Sequence, residues 1–237
     1  MADAVAQAGG GGQAEERADA AGGNAAPPES PDASWLEKYD RVASTFTERD
    51  YADPVRYPAR RARLIVELPP RSKPGDTLLD LGCGDGNMAA PLAALGLRYR
   101  GVDASRGMVE AARARNEGIP FELARIEEYR PPEPVDCVVC LRALKYVPDR
   151  VAFFTLVRSY TRGKFVFDVD LSLDSVRTLS RELEQAGFGT LEVRPFLLPQ
   201  LRRVPGALQP AIRLLEHTGP LAALVARRHG RCFCAAS

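Results

Sequence analysis

The stretch "LLDLGCGDGN", Leu78 to Asn87, sets glycines at 82, 84 and 86 directly after an apolar run and frames them with Asp80 and Asp85. The apolar run, the glycines and the following "NMAAPLAALG" read as strand, tight turn and helix, the opening of many nucleotide-binding folds. A pyrophosphate-binding GxGxxG turn aligned on Gly82 and Gly84 needs its third glycine at 87, and that residue is Asn87. A carboxylate at Asp80, just ahead of the turn, would also repel a pyrophosphate. The turn suits a ligand with a positive amino-acid end and no phosphate. Asp85 has no such role and is expected to face solvent at the start of the helix, where the dipole tolerates it.

The same alternation continues along the chain. "RYRGVD", "PFELARI", "VDCVVCL", "GKFVFDVDL" and "GTLEVRPF" read as strands. Between them lie the helical patterns "SRGMVEAARARNEG" with Ser105 as its cap, "VPDRVAFFTLVRSY" and "SLDSVRTLSRELEQAG". This predicts an α/β fold: a Rossmann-like, mostly parallel sheet with helices on both faces. The closing "RCFCAAS" adds a last strand. Before it, residues 197–228 form a Pro-rich excursion with the short helical pieces "ALQPAIRLLEHTG" and "PLAALVARR". That excursion is either a cover for the sheet edge or a substrate cap.

Residues 1–33 are dominated by Gly, Ala and Pro, hold almost no large apolar side chain and are expected to be disordered. Residues 34–237 form the domain. Within it, 34–70 carries two helices, "SWLEKYDRVASTF" with Ser34 as N-cap and "PVRYPARRARLIVELPP", stopped by Pro69 and Pro70.

A formal net charge of +1 over 237 residues gives no global field for nucleic acid or an anionic membrane. The arginines of "RYPARRAR" and "LRRVPG" are expected to be solvated helix faces rather than a nucleic-acid patch. Only Lys38, Lys73, Lys145 and Lys164 among the 32 basic residues are lysines, a bias that suggests a GC-rich coding genome and a bacterial host. "CVVC" at 137–140 lies in a strand pattern, so two buried, inert thiols are expected rather than a redox pair. No long apolar span appears, and the cytoplasm is the expected compartment.

Taken together, "LLDLGCGDGN", "YRGVDASRGMVEAAR" and "VDCVVCLRALKYVPD" resemble, in order, the motifs of class I S-adenosylmethionine-dependent methyltransferases. The resemblance covers roughly residues 35–195 and implies that fold, with an antiparallel last strand. It implies S-adenosylmethionine as cofactor and a methyl-transfer activity. Carried across, Asp80 anchors the methionine ammonium or a water, and the backbone of Gly82, Cys83 and Gly84 lies against the methionine part. Asp103, 21 residues after Gly82, holds the ribose. Ala104, Met108 and Ile126 pack by the adenine, and the backbone of Cys140 and Leu141 lies under the sulfonium. The resemblance fails at Arg125, where an acid often stands near the adenine, and at Lys145–Tyr146, where relatives often carry a His pair.

Tyr39 and Tyr146 are the candidate catalytic residues, as pocket side chains: the resemblance implies that 34–70, with Tyr39, is a helical cofactor lid, while Tyr146 sits at the carboxyl end of the sheet, the edge where Asp168 and Asp170 end a strand. The only histidines are His217, in the excursion, and His229, which reads as structural. No metal site is expected. The expected acceptor is a small molecule, with a place in bacterial natural-product or secondary metabolism; nucleic-acid and membrane partners are not expected, and oligomeric state stays open. Three alternatives remain: action on a peptide, protein or RNA; a non-catalytic cofactor-binding homologue; and a nicotinamide-dependent oxidoreductase.

Overall fold

The computed structural model describes residues 33–170, 174–217 and 231–237. The expected tail, apart from Ala33, lies outside the described residues, as do the "PLAALVARR" helix and His229.

Seven strands form one sheet in the order β3-β2-β1-β4-β5-β7-β6. They are β1 (Thr77–Leu81), β2 (Arg98–Asp103), β3 (Phe121–Leu123), β4 (Val135–Cys140), β5 (Thr161–Asp170), β6 (Leu191–Pro195) and β7 (Arg231–Ala236). β1 to β5 run parallel to their neighbours, and β7 inserts antiparallel between β5 and β6. The sheet is therefore mostly parallel, as the alternation predicts, and its last strand is antiparallel, as the resemblance implies.

The central strands read as unbroken apolar runs because both of their faces are buried. Leu78, Cys137, Val139 and Val166 point to one side. There they pack on α3 (Arg56–Glu67), α4 (Ala89–Ala93) and α5 (Arg106–Arg115). Leu79, Leu81, Val138, Cys140, Phe165 and Phe167 point to the other side, against α6 (Arg150–Tyr160) and α7 (Val176–Gln185). Cys137 and Cys140, three apart in a strand, thus lie in opposite cores. Burial pushes the Cys137 thiol up to about 12 and raises that of Cys140 too, which disfavours the thiolate at both.

Local signals set most boundaries. The Ser105 hydroxyl accepts from the Met108 N–H at 3.1 Å and caps α5, while Asp149 and Ser175 cap α6 and α7 in the same way. Three expectations change. The leading helix is broken: α1 (Ala33–Val42) and α2 (Phe46–Asp50) are joined by a 3₁₀ turn, Ala43–Thr45, and α1 starts one residue before Ser34. The third strand stops at Leu123, so Ile126 lies in a turn beyond it. α4 is short, because the glycine turn runs on to Met88 before the helix begins.

The excursion after β6 holds the 3₁₀ turn Gly206–Leu208 and α8 (Gln209–His217). Its fully buried Glu216 pairs with Arg60 of α3 and accepts from the Leu197 N–H at 2.9 Å. The Ala52 N–H donates to the Gln200 carbonyl at 2.9 Å, so the excursion packs against the α2–α3 connection. Under α3, the buried Lys164 ammonium donates to the carbonyls of Ile65 and Leu68, both at 2.6 Å, closing that helix's carboxyl end.

Candidate cofactor and acceptor cleft

β1 pairs in parallel with β2 on one side and with β4 on the other, so the order in which strands are added reverses at β1. Open α/β sheets bind ligands outside the carboxyl ends of the strands at such a point. A cleft lies there, lined by the glycine turn, the ends of β2 and β4, and α1 to α3.

The turn favours glycine at three of its positions. Gly82, Gly84 and Gly86 have φ of +77°, +55° and +72°. A Cβ on Gly82 would stand 2.5 Å from the Ala143 Cβ, which the chain brings in behind β4. The turn is locked to β2 from the side: the Gly84 N–H donates to Asp103 Oδ2 at 2.8 Å, and the Ser105 N–H to Oδ1 at 2.9 Å. Burial raises the Asp103 pKa, against the pull of those two amides. A carboxylate accepts more than these two bonds, so acceptor capacity remains.

Asp80 is only 2% exposed. Its Oδ2 accepts from the Tyr99 hydroxyl at 2.7 Å. Burial pushes its pKa up to about 6, against the Tyr99 hydrogen bond and the positive charge of Arg61.

Asp85 corrects the sequence expectation: it is fully buried. Its Oδ2 accepts from the Thr47 N–H at 3.1 Å and from Arg115 at 3.0 Å. Asn87 reaches the same residue, donating to the Thr47 hydroxyl at 2.9 Å. The second acid of the opening stretch therefore ties α2 to the glycine turn. It is buried because the N-terminal helices fold over the turn, a long-range fact. α1 is pinned in turn by Asp40 Oδ1, which accepts from the Ser105 hydroxyl at 2.5 Å and the Gly107 N–H at 2.8 Å.

The other wall is aromatic. The Tyr39 and Tyr146 hydroxyls are 2.8 Å apart, and Trp35 stacks on Tyr146 with ring centroids at 5.1 Å. Phe46 and Tyr51 continue that wall. Of the residues expected at a binding site, Asp80, Gly82, Cys83, Gly84, Asp103, Ala104, Met108, Ile126, Leu141, Tyr39 and Tyr146 all line the cleft. Cys140 does not. It is the last residue of β4, its side chain lies in the opposite core, and the chain enters the cleft one residue later. Arg125 is not in the lining either; Glu127, 3.5 Å from it, takes that place. Asp168 is not in the lining; it is buried and meets two residues that are, Arg142 through its N–H and Arg61 at 3.6 Å. His217 ends α8, and its side chain is outside the described set.

Two arginines were not anticipated. Arg61 sits in "RYPARRAR", read as a solvated face, yet it is 3% exposed. Its contacts are long: 3.5 Å to the Tyr51 hydroxyl and 3.6 Å to Asp168 Oδ2, with Nε unpartnered. The clue was available, since Arg61 falls four residues after Tyr57 and four before Ile65, on the buried stripe of α3. Arg142 follows β4 with φ +63°, its N–H donating to Asp168 Oδ1 at 2.6 Å. Its side chain donates to the Tyr51 hydroxyl at 3.1 Å and Asp50 at 3.3 Å. Burial works against the charge of both arginines, but neighbouring Tyr and Asp groups outweigh it, and both pKa values are raised.

Turn, acid, sheet order and switch-point cleft together define a class I methyltransferase fold. Residues 78–164 match the family described as "Methyltransferase domain". The chain thus has the class I methyltransferase fold, and its likeness to that family is carried by residues 78–164. It is 38% identical over 106 residues to a trans-aconitate 2-methyltransferase from Enterobacter sp. (strain 638), covering 41% of this chain and 40% of that protein. It is 31% identical over 149 residues to a ubiquinone biosynthesis O-methyltransferase from Methylobacterium sp. (strain 4-46), covering 52% and 57%. The chain thus spans only part of the length of these relatives. Its fold matches that of an S-adenosylmethionine-dependent methyltransferase from Mesorhizobium loti, with a TM-score of 0.54 at 22% identity over 78% of this chain and 98% of that one.

Proposed function

We propose that this chain transfers a methyl group from S-adenosylmethionine to a small-molecule acceptor, with a place in bacterial secondary metabolism. The observation that carries the reading is the joint of Gly84 and Asp103: a glycine turn held against an acid at the end of β2.

The residues present fit the cofactor. Asp103 keeps acceptor capacity for ribose hydroxyls after its two backbone bonds. Asp80 offers a carboxylate to an ammonium, and the buried, unpartnered Nε of Arg61 is a donor suited to the methionine carboxylate. Met108 and Ile126 give an apolar bed for a purine, with Glu127 beside it. Bound there, the cofactor would supply an electrophilic methyl carbon on a sulfonium. The protein's part is then mostly positioning and exclusion of water, which can supply effective molarities of about 10⁵–10⁸ M. Tyr39 and Tyr146 hold each other in place across the acceptor side. The relatives' acceptors, trans-aconitate and a ubiquinone precursor by their names, support a small-molecule reading.

The test is release of S-adenosylhomocysteine when the protein and S-adenosylmethionine are incubated with separate small-molecule, protein and RNA fractions of a bacterial extract. Release with the small-molecule fraction is expected; release with the protein or RNA fraction alone would overturn the acceptor class.

A further inference from the structure

Resting on that reading, we propose that Arg142 selects the acceptor, and that the acceptor is a planar, aromatic or unsaturated molecule carrying a carboxylate. The charges of the cleft are sorted. Asp80, Asp103 and Glu127 lie at or beyond the ends of β1, β2 and β3, the half that suits the cofactor. Arg142 stands at the β4–β5 edge, among Phe46, Tyr51 and Tyr146, in the half left for an acceptor.

Its backbone gives the second observation. Arg142 is the non-glycine residue with positive φ among those described, at +63°. Glycine would sit there without strain, and strained backbone concentrates at functional sites. The conformation is held from β5 by Asp168 Oδ1 at 2.6 Å. The guanidinium is thereby laid over the Phe46 ring, 5.6 Å from its centroid, and the Tyr51 ring at 5.9 Å. Tyr51 and Asp50 take one bond from each terminal nitrogen, and a guanidinium has further donors to offer. Its side chain is 29% accessible, so a ligand can reach it. Arg142 brings one positive charge with donors beyond those given to Tyr51 and Asp50, so its end of the cleft suits a carboxylate rather than a phosphate dianion. The flanking rings favour a flat ligand.

Trp35 is the only tryptophan of the chain and lines the cleft, so its fluorescence reports on the acceptor half. The protein is first saturated with S-adenosylhomocysteine, then titrated with benzoate, benzamide or phenyl phosphate. Benzoate is expected to bind at least about tenfold more tightly than benzamide, as a charge-assisted hydrogen bond requires. Arg142→Gln should lose that preference. Arg142→Gly should lose it too while relieving the backbone, so misfolding cannot mimic the result. Equal binding of benzoate and benzamide, no binding of either, a preference kept in both variants, or tighter binding of phenyl phosphate would each overturn the proposal. Failure of S-adenosylhomocysteine itself to bind would overturn the cofactor reading, and this proposal with it.

Discussion

The Gly84 N–H and Asp103 Oδ2, 19 residues apart in the chain, meet at 2.8 Å and join the glycine turn to the end of β2. Replacing Asp103 by Asn puts an amide NH₂ where one backbone N–H now donates. Hydrogen bonds to charged groups carry about 1.5–3 kcal/mol. Asp103→Asn is therefore expected to weaken S-adenosylhomocysteine binding about tenfold to a hundredfold by calorimetry. Unchanged affinity would remove Asp103 from the site.

With Asp80 as the partner of the cofactor's ammonium, binding is expected to depend on pH. Its pKa in the folded protein is about 6, above its ordinary value of 3.8. The folded state thus holds the proton more tightly than the unfolded one. The stability this brings is present at low pH and is lost as pH rises from about 4 through 6. Binding of an ammonium runs the other way, because it needs the carboxylate ionised. Affinity for S-adenosylhomocysteine should fall as pH drops through about 6, with proton uptake by the free protein in the same window. Tyr99→Phe removes the bond that lowers this pKa and should move the midpoint upward. Asp80→Asn should flatten both profiles, while a flat profile in the wild type would contradict the assignment.

Asp85 predicts a mechanical link. Asp85→Ala leaves the Thr47 N–H and the Arg115 guanidinium without their shared acceptor. A loss of about 1–3 kcal/mol in stability is expected, with faster hydrogen exchange along Phe46–Asp50. Unchanged exchange there would show that the acid does not hold α2.

The glycines separate strain from collision. Gly82 and Gly118 share nearly the same φ, +77° and +78°, but a Cβ meets Ala143 only at Gly82. Gly118→Ala should cost about 1 kcal/mol, the left-handed penalty alone. Gly82→Ala should cost clearly more in thermal denaturation and impair cofactor binding. Equal costs would mean that Ala143 yields freely.

The sequence disclosed what is local and periodic. β2 matches "RYRGVD" because its residues alternate and end at an acid, and Ser105 caps α5 as its side chain allows. The parallel pairing of β1 to β5 follows from strand–helix alternation. The acids and arginines depend on which element folds over which. Asp85 looks solvated until α2 covers it, and Arg61 looks like one of a run of exposed arginines until the phase of α3 is counted. Nothing in the letters "CLRAL" announces that Arg142 will take a left-handed backbone, since Asp168 imposes that from β5. The place near the adenine given to Arg125 changes for a related reason: β3 ends at Leu123, and in the turn beyond it Glu127, not Arg125, lines the cleft.

The central claim is that the cleft at the ends of β1, β2 and β4 holds a phosphate-free adenosyl cofactor. Calorimetric titration of the protein at neutral pH with S-adenosylhomocysteine and, in parallel, with NAD⁺ tests it most directly. The account predicts micromolar binding of S-adenosylhomocysteine, weakened by Asp103→Asn, and no heat from NAD⁺. Binding of NAD⁺, or no binding of S-adenosylhomocysteine by the folded protein, would contradict it.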